Sequence, residues 1–171
     1  CYDENETKSL KMLGMHGSAY ANFSIQKADL IIGVGVRFDD RITGKPYTFA
    51  PEANLAMEED RGGIVHINID SKKTYKSIKS IMEFKLDSKL VLNELINDLD
   101  NFDSESNSNF NINFRDEWLE EISQLKSKYP LSYTRNSFPN TTFKDNAIKT
   151  QQVIEQIGLE ADLPNTIFTT G

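Results

Sequence analysis

The segment Asp29-Leu-Ile-Ile-Gly-Val-Gly35 constrains the fold more than any other. A short, continuous apolar run closed by glycines is the pattern of a parallel strand covered on both faces. Parallel strands cannot be joined by tight turns and need long crossovers, usually helical. Ser18 to Lys27, with Ala19, Phe23 and Ile25 spaced among polar residues, predicts a short helix before the strand. Ile64 to Ile69 predicts a second strand. Ile81 to Leu86 alternates and predicts a third, nearer the sheet edge. Ser88 can cap a helix to Leu99, with Leu92, Leu95, Ile96 and Leu99 on one face. Strands alternating with helices imply an α/β class with a doubly wound parallel sheet.

The second half has a different texture. Residues 94–121 hold nine acids and a single base, Arg115, so this window carries the whole of the net charge of −7 and the rest of the chain is slightly positive. Inside it, residues 101–113 (NFDSESNSNFNIN) bury little apolar surface and read as an acidic, Asn/Ser-rich linker. An acidic partner-binding tract is the other reading. Beyond it, Asn113 and Asp116 resemble a capping box ahead of a helix with Trp118, Ile122, Leu125 and Tyr129 in one stripe, ended by Pro130. Residues 131–146 read as irregular. Thr150 to Ile157 predicts a helix with Val153, Ile154 and Ile157 inward and Gly158 as its stop. Thr166 to Thr170 predicts a last strand.

Three places could carry chemistry. Leu13-Gly-Met-His-Gly17 leads into the Ser18 helix, where backbone N–H groups can face an anion such as a pyrophosphate. A plain glycine turn with a structural His16 is the alternative. Gly33-Val-Gly-Val-Arg-Phe-Asp-Asp-Arg41 lacks the dinucleotide fingerprint, because Phe38 stands where its third glycine would be. It nonetheless sets Arg37 and Arg41 with Asp39 and Asp40 past the carboxyl end of a strand, the edge where open α/β sheets bind ligands. The arginines can hold phosphate or carboxylate and the aspartates can orient them. A self-paired surface loop fits equally. Third, Asn68 and Asp70 after the second strand, and Asp87 after the third, sit where an acid often meets a ribose hydroxyl, or where it caps the next helix.

Composition narrows the classes. An acidic balance and a sequence pI near 4.9 argue against a nucleic-acid binder. No run of 18 apolar residues suits a membrane span. One cysteine, Cys1, excludes a disulfide framework, and His16 and His66 lie too far apart to suggest a metal site. No initiator methionine, signal peptide or transit peptide is visible. There is no Ser/His/Asp order, no P-loop and no acid/base carboxylate pair. The residues alone describe a nucleotide-binding scaffold without a catalytic centre.

Taken together, LGMHGSAYAN (residues 13–22) and ADLIIGVGVRFDDRITG (residues 28–44) resemble the catalytic subunit of acetohydroxyacid synthase (acetolactate synthase), a thiamine-diphosphate enzyme family. MLGMHG with RFDDR is a specific pair. FAPEA and RGGIVHI look most like the fungal branch, and KYP, TQQVI and the terminal TTG look like the family's entry into its third domain. The resemblance implies 1–100 as the central FAD-binding domain lacking its N-terminal part, 101–113 as linker, 114–146 as a connecting helix and irregular segment, and 147–171 as the start of the thiamine-diphosphate domain. It implies condensation of two pyruvates, or of pyruvate with 2-oxobutyrate, in valine, leucine and isoleucine synthesis. FAD would be a structural cofactor here, with thiamine diphosphate and Mg²⁺ held mostly outside this chain. Carbanion chemistry would belong to the thiamine.

By position, Met15, His16 and Gly17 match the motif lying against the flavin. Gly35, Arg37, Asp39 and Arg41 match residues along the FAD, and the stretch from Asn68 through Asp70 to Asp87 matches the second FAD segment. Met15, Asp40 and Arg41 match positions of the herbicide channel. No catalytic or metal-binding residue is carried over. Asn68 for an acid, Leu86 for a glycine and Thr150 for a proline depart from the family. The resemblance further implies a homodimer or larger assembly, a separate regulatory subunit and a mitochondrial location, with no nucleic-acid or membrane partner. Another thiamine-dependent 2-oxoacid decarboxylase, or a non-catalytic nucleotide-binding module, are the competing readings.

Overall fold

The computed structural model describes residues 2–69, 78–105, 112–133 and 148–169. The chain divides into two compact units, Cys1–Pro130 and Leu131–Gly171.

The first unit is built on three parallel strands in the order β1 (Leu30–Val34), β2 (Gly63–Ile67), β3 (Met82–Phe84). The register sets Ile31 beside Ile64 and Ile32 beside Val65, and Val65 in turn beside Met82. Helix α1 (Ala19–Lys27) precedes β1. Ser18 caps it by accepting from the Ala21 amide at 3.1 Å, and its hydroxyl donates to the Leu10 carbonyl. The β1–β2 crossover holds a helical turn, α2 (Asp40–Thr43), and a helix, α3 (Pro51–Glu58). Sequence reading did not anticipate α3, although its signal is plain in retrospect. Pro51 occupies the first turn and Ala, Leu and Met follow. Ala50, Ala53 and Ala56 are fully buried, and their small side chains let α3 lie close on β2. The core joins Ile31, Ile64, Phe38, Phe49, Ala50 and Ala53.

The α/β class with a parallel sheet is as expected, but β1 is covered on one face only. Ile31 is buried, whereas Leu30, Ile32 and Val34 are 49%, 55% and 36% exposed. By register these share a face with Met82 and Phe84, which are also exposed. Helix α3 covers the opposite face. A continuous apolar run records what a strand can bury, not which neighbours are present to bury it.

Helix α4 runs from Ser88 to Glu105, so residues 101–105 continue a helix instead of opening a linker. No Gly or Pro interrupts them, and polar residues alone do not end a helix. Its cap is Asp87, whose Oδ1 accepts from the Lys89 amide at 2.8 Å, and Ser88 is the first helical residue. Helix α5 spans Ile112–Lys128, so Asn113 lies inside the helix and is not its cap. The predicted stripe faces inward, with Ile122 buried. Tyr129 stacks on Phe23 at 5.0 Å, and Lys27 pairs with Glu121, docking α5 on α1. Residues 106–111 lie outside the described residues.

In the second unit, α6 (Thr150–Glu160) passes through Gly158 and ends at Ala161. A glycine stops a helix only by adopting the left-handed conformation, and Gly158 does not. The Gln152 carboxamide oxygen accepts from the Lys149 amide at 3.0 Å, one half of a capping box. Val153, Ile154 and Ile157, expected inward, are 45%, 63% and 48% exposed. A helical stripe needs a facing surface, and the described residues of this unit supply none. A 3₁₀ turn (Leu163–Asn165) follows, and residues 166–169 are not strand. A strand requires a ladder partner, and no strand stands among the described residues of this unit. Most of the segment read as irregular, 134–146, lies outside the described residues.

Candidate functional site

The two glycine-rich motifs meet at the carboxyl edge of the sheet. Gly14 adopts φ +100°. The Asn22 side chain brackets it, accepting from its amide and donating to its carbonyl, both at 2.9 Å. The turn continues with Gly17 N–H donating to the Gly14 carbonyl. The Met15 amide then donates to the Arg41 carbonyl at 2.7 Å. A Cβ on Gly14 would stand 2.5 Å from that same oxygen. Glycine is therefore required both for backbone sign and for approach. Met15 (71% exposed) and His16 are left facing solvent.

Past β1, Gly35 turns at φ +64° and its amide donates to the Ile67 carbonyl at 2.7 Å. Its missing Cβ would lie 3.1 Å from the Ser88 hydroxyl, so the amino end of α4 abuts this turn. Phe38 anchors the loop. It is buried against Phe49 and His66 in the space that Gly33 leaves open. Sequence reading treated Phe38 only as a broken fingerprint.

Asp39 organises the rest. Its Oδ2 accepts from Arg37 Nη2 at 2.8 Å and its Oδ1 from the Arg41 and Ile42 amides, capping α2. The Arg37 hydrogen bond holds its carboxyl below the ordinary range, helped by the two amides and opposed by partial desolvation. Arg37 and Asp39 thus pair with each other, and Asp39 acts on the loop itself. Arg41 is exposed, and its guanidinium has no ion-pair partner among the described residues.

The second segment is met in part. Asn68 Nδ2 donates to the Val36 carbonyl at 3.0 Å, beside His66 Nε2 on the same oxygen at 2.7 Å. Asp87 serves as the α4 cap, and Leu86 is half exposed. Asp70 lies outside the described residues. Met15, His16, Gly17, Gly35, Arg37, Asp39, Arg41, Asn68 and Asp87 all lie on loops leaving this one edge.

A cleft of about 710 Å³ lies at the opposite, amino end of β1 and is lined by Lys27, Leu30, Arg61, Arg115 and Trp118 among others. Arg61 in this cleft is engaged by Glu59, Glu52 and Asp29, and its hydrogen bonds to Glu59 and Glu52 raise its pKa further. That arrangement ties α3 to the start of β1 and occupies the Arg61 guanidinium. Among the described residues, no helix is long and apolar enough to cross a membrane, and no group of three His, Cys, Asp or Glu could hold a metal ion.

A three-stranded parallel sheet with its helices, and glycine turns and arginines at its carboxyl edge, defines an α/β domain. Residues 1–95 match the family described as "Thiamine pyrophosphate enzyme, central domain", and the chain belongs to that family. It is similar to "Acetolactate synthase, mitochondrial" of Schizosaccharomyces pombe, at 37% identity over 99% of this chain and 24% of the relative. It is similar also to "Acetolactate synthase catalytic subunit, mitochondrial" of Saccharomyces cerevisiae (37%, with 99% and 23% covered). The protein of that same name in Aspergillus candidus is 41% identical, again with 99% and 23% covered. The chain spans about a quarter of the length of these curated relatives.

Proposed function

We propose that this chain is the greater part of the central domain, and the opening of the next, of an acetolactate synthase catalytic subunit. The whole enzyme would join two pyruvates, or pyruvate and 2-oxobutyrate, with release of CO₂. Thiamine diphosphate with Mg²⁺, held mainly by other parts of the protein, supplies the carbanion chemistry when bound. The part played by these residues is to bind FAD as a structural cofactor.

The observation that carries the reading is the Met15–Arg41 backbone bond, which unites the MLGMHG and RFDDR motifs on one edge. The donor set fits a flavin dinucleotide. Arg37 and Arg41 are cations of the kind that grip a diphosphate. Met15 and His16 offer an exposed apolar and aromatic wall for a flat ring. Gly17 and Gly35 let the loops beside this edge pack closely, since a Cβ on Gly17 would stand 2.3 Å from the Met12 carbonyl oxygen and one on Gly35 3.1 Å from the Ser88 hydroxyl. Asp39 orients Arg37, while Asn68, Asp70 and Asp87 belong to the segment assigned to the other half of the cofactor. The names of the fungal relatives support a mitochondrial location, and a homodimer or larger assembly with a separate regulatory subunit completes the proposal.

Purification of the full-length protein, release of its flavin by heat, and assay of 2-acetolactate from pyruvate test this. Bound FAD and acetolactate are expected. Acetaldehyde in place of acetolactate would assign a decarboxylase instead. Absence of any flavin would remove the cofactor assignment.

A further inference from the structure

One backbone carbonyl, that of Val36, receives two side-chain donors from alternate residues of β2 and its end. His66 Nε2 lies at 2.7 Å and Asn68 Nδ2 at 3.0 Å. A carbonyl only accepts, so the His66 hydrogen sits on Nε2, and the two lone pairs of the oxygen match the two donors. His66 is 3% exposed, and its ring rests against Phe38 at 5.0 Å, which fixes its direction. One residue earlier, the Gly35 amide is held by the Ile67 carbonyl. The chain is thus pinned to β2 on both sides of the Gly35–Val36 link.

The peptide unit is planar, so fixing the Val36 carbonyl also fixes the Arg37 amide in the same plane and the direction in which Arg37 departs. We infer that His66 and Asn68 are positioning residues for the anion site: together they clamp the Val36–Arg37 peptide so that Arg37 is presented at the carboxyl edge. The role toward the cofactor rests on the FAD reading above, whereas the clamp itself does not. Asparagine at 68 then has a physical reason. A carboxylate there could not donate and would set negative charge against the carbonyl oxygen.

The test uses the full-length protein and four variants: Asn68→Asp, His66→Leu, His66→Gln and Arg37→Ala. Two readouts are taken, amide hydrogen exchange of residues 35–43 without flavin, and the FAD dissociation constant from flavin fluorescence. Losing one clamp bond should speed loop exchange by about fivefold to tenfold, the scale of one net hydrogen bond. Exchange in α1 should not change. FAD affinity should fall by a similar factor in Asn68→Asp and His66→Leu. His66→Gln, whose carboxamide can donate, should recover most of both. Loop exchange unchanged in both Asn68→Asp and His66→Leu would overturn the clamp, as would His66→Gln behaving like His66→Leu. If Arg37→Ala weakens FAD while the clamp variants do not, the positioning role fails and the FAD reading stands. If the wild-type protein binds no FAD, that reading fails, and the exchange data alone decide the clamp.

Discussion

The Met15 amide donates to the Arg41 carbonyl at 2.7 Å, across 26 residues of sequence. The bond makes one edge out of two loops, and Gly14 is what permits it. An alanine there would place its Cβ 2.5 Å from the Arg41 oxygen on a backbone at φ +100°. Left-handed strain and the clash together should cost about 2–4 kcal/mol. Gly14→Ala is therefore expected to lower the denaturation midpoint markedly and to release FAD. A stability within about 0.5 kcal/mol of wild type, the range of an ordinary surface change, would show that the loops do not depend on this contact.

The two arginines should not be equivalent. Arg37 is braced by Asp39, while Arg41 has no ion-pair partner among the described residues. On the proposed FAD site, Arg37→Ala should remove a charge-assisted contact and weaken FAD binding by about 1.5–3 kcal/mol. It should also loosen α2, because Asp39 loses its brace. Arg41→Ala should weaken FAD binding with less effect on the loop. Titration with FAD, paired with hydrogen exchange at residues 39–43, separates the two. Equal loop protection in both variants would contradict the asymmetry.

Acid should undo this loop through Asp39. Its carboxyl is held below its ordinary value, chiefly by the Arg37 hydrogen bond. A carboxyl so lowered adds stability that is complete above its unfolded value, near 4, and is lost as pH falls through the folded one. The stability gap between wild type and Asp39→Asn should therefore be flat from neutral pH down to about 5 and narrow below about 4. Denaturant melts of both proteins across that range measure it. A gap that persists undiminished to pH 3 would assign the aspartate a purely steric role.

The parts of the fold legible in the sequence were those with local causes. The apolar run of β1, the helix from Ser18 to Lys27 and the Trp118-to-Tyr129 stripe each announce themselves within a dozen residues. Helix α3 is as local, but alanines are weakly apolar and do not by themselves mark a packed face. The open face of β1 and the exposed stripe of α6 were misjudged for another reason. Periodicity reports a capacity for burial, whereas burial itself depends on neighbours. For the candidate site, the motifs pointed to the carboxyl edge, where the structure brings them together, but the joining contacts could not be read. Met15 to Arg41 and His66 to Val36 are made by, or to, backbone carbonyls, which every residue carries. Asp87 illustrates the limit: it had a ligand reading and a capping reading, and it makes the cap.

The isolated 171-residue chain should be silent and adhesive. Leu30, Ile32, Val34, Met82 and Phe84 are exposed on one sheet face, on which Ile67 is buried, and Leu92, Leu95, Ile96 and Leu99 are exposed along α4. Contiguous apolar surface of this kind marks an interaction face or an aggregation hazard. Expressed alone, residues 1–171 should bind a hydrophobic dye strongly and self-associate on size exclusion. They should yield no acetolactate from pyruvate even with thiamine diphosphate, Mg²⁺ and FAD supplied. Replacing Ile32 by Thr and Met82 by Gln should reduce dye binding without unfolding the sheet, because both side chains are more than half exposed. A monomeric, dye-silent chain would mean that the face is covered from within, and measurable acetolactate would mean that the catalytic groups lie inside these residues.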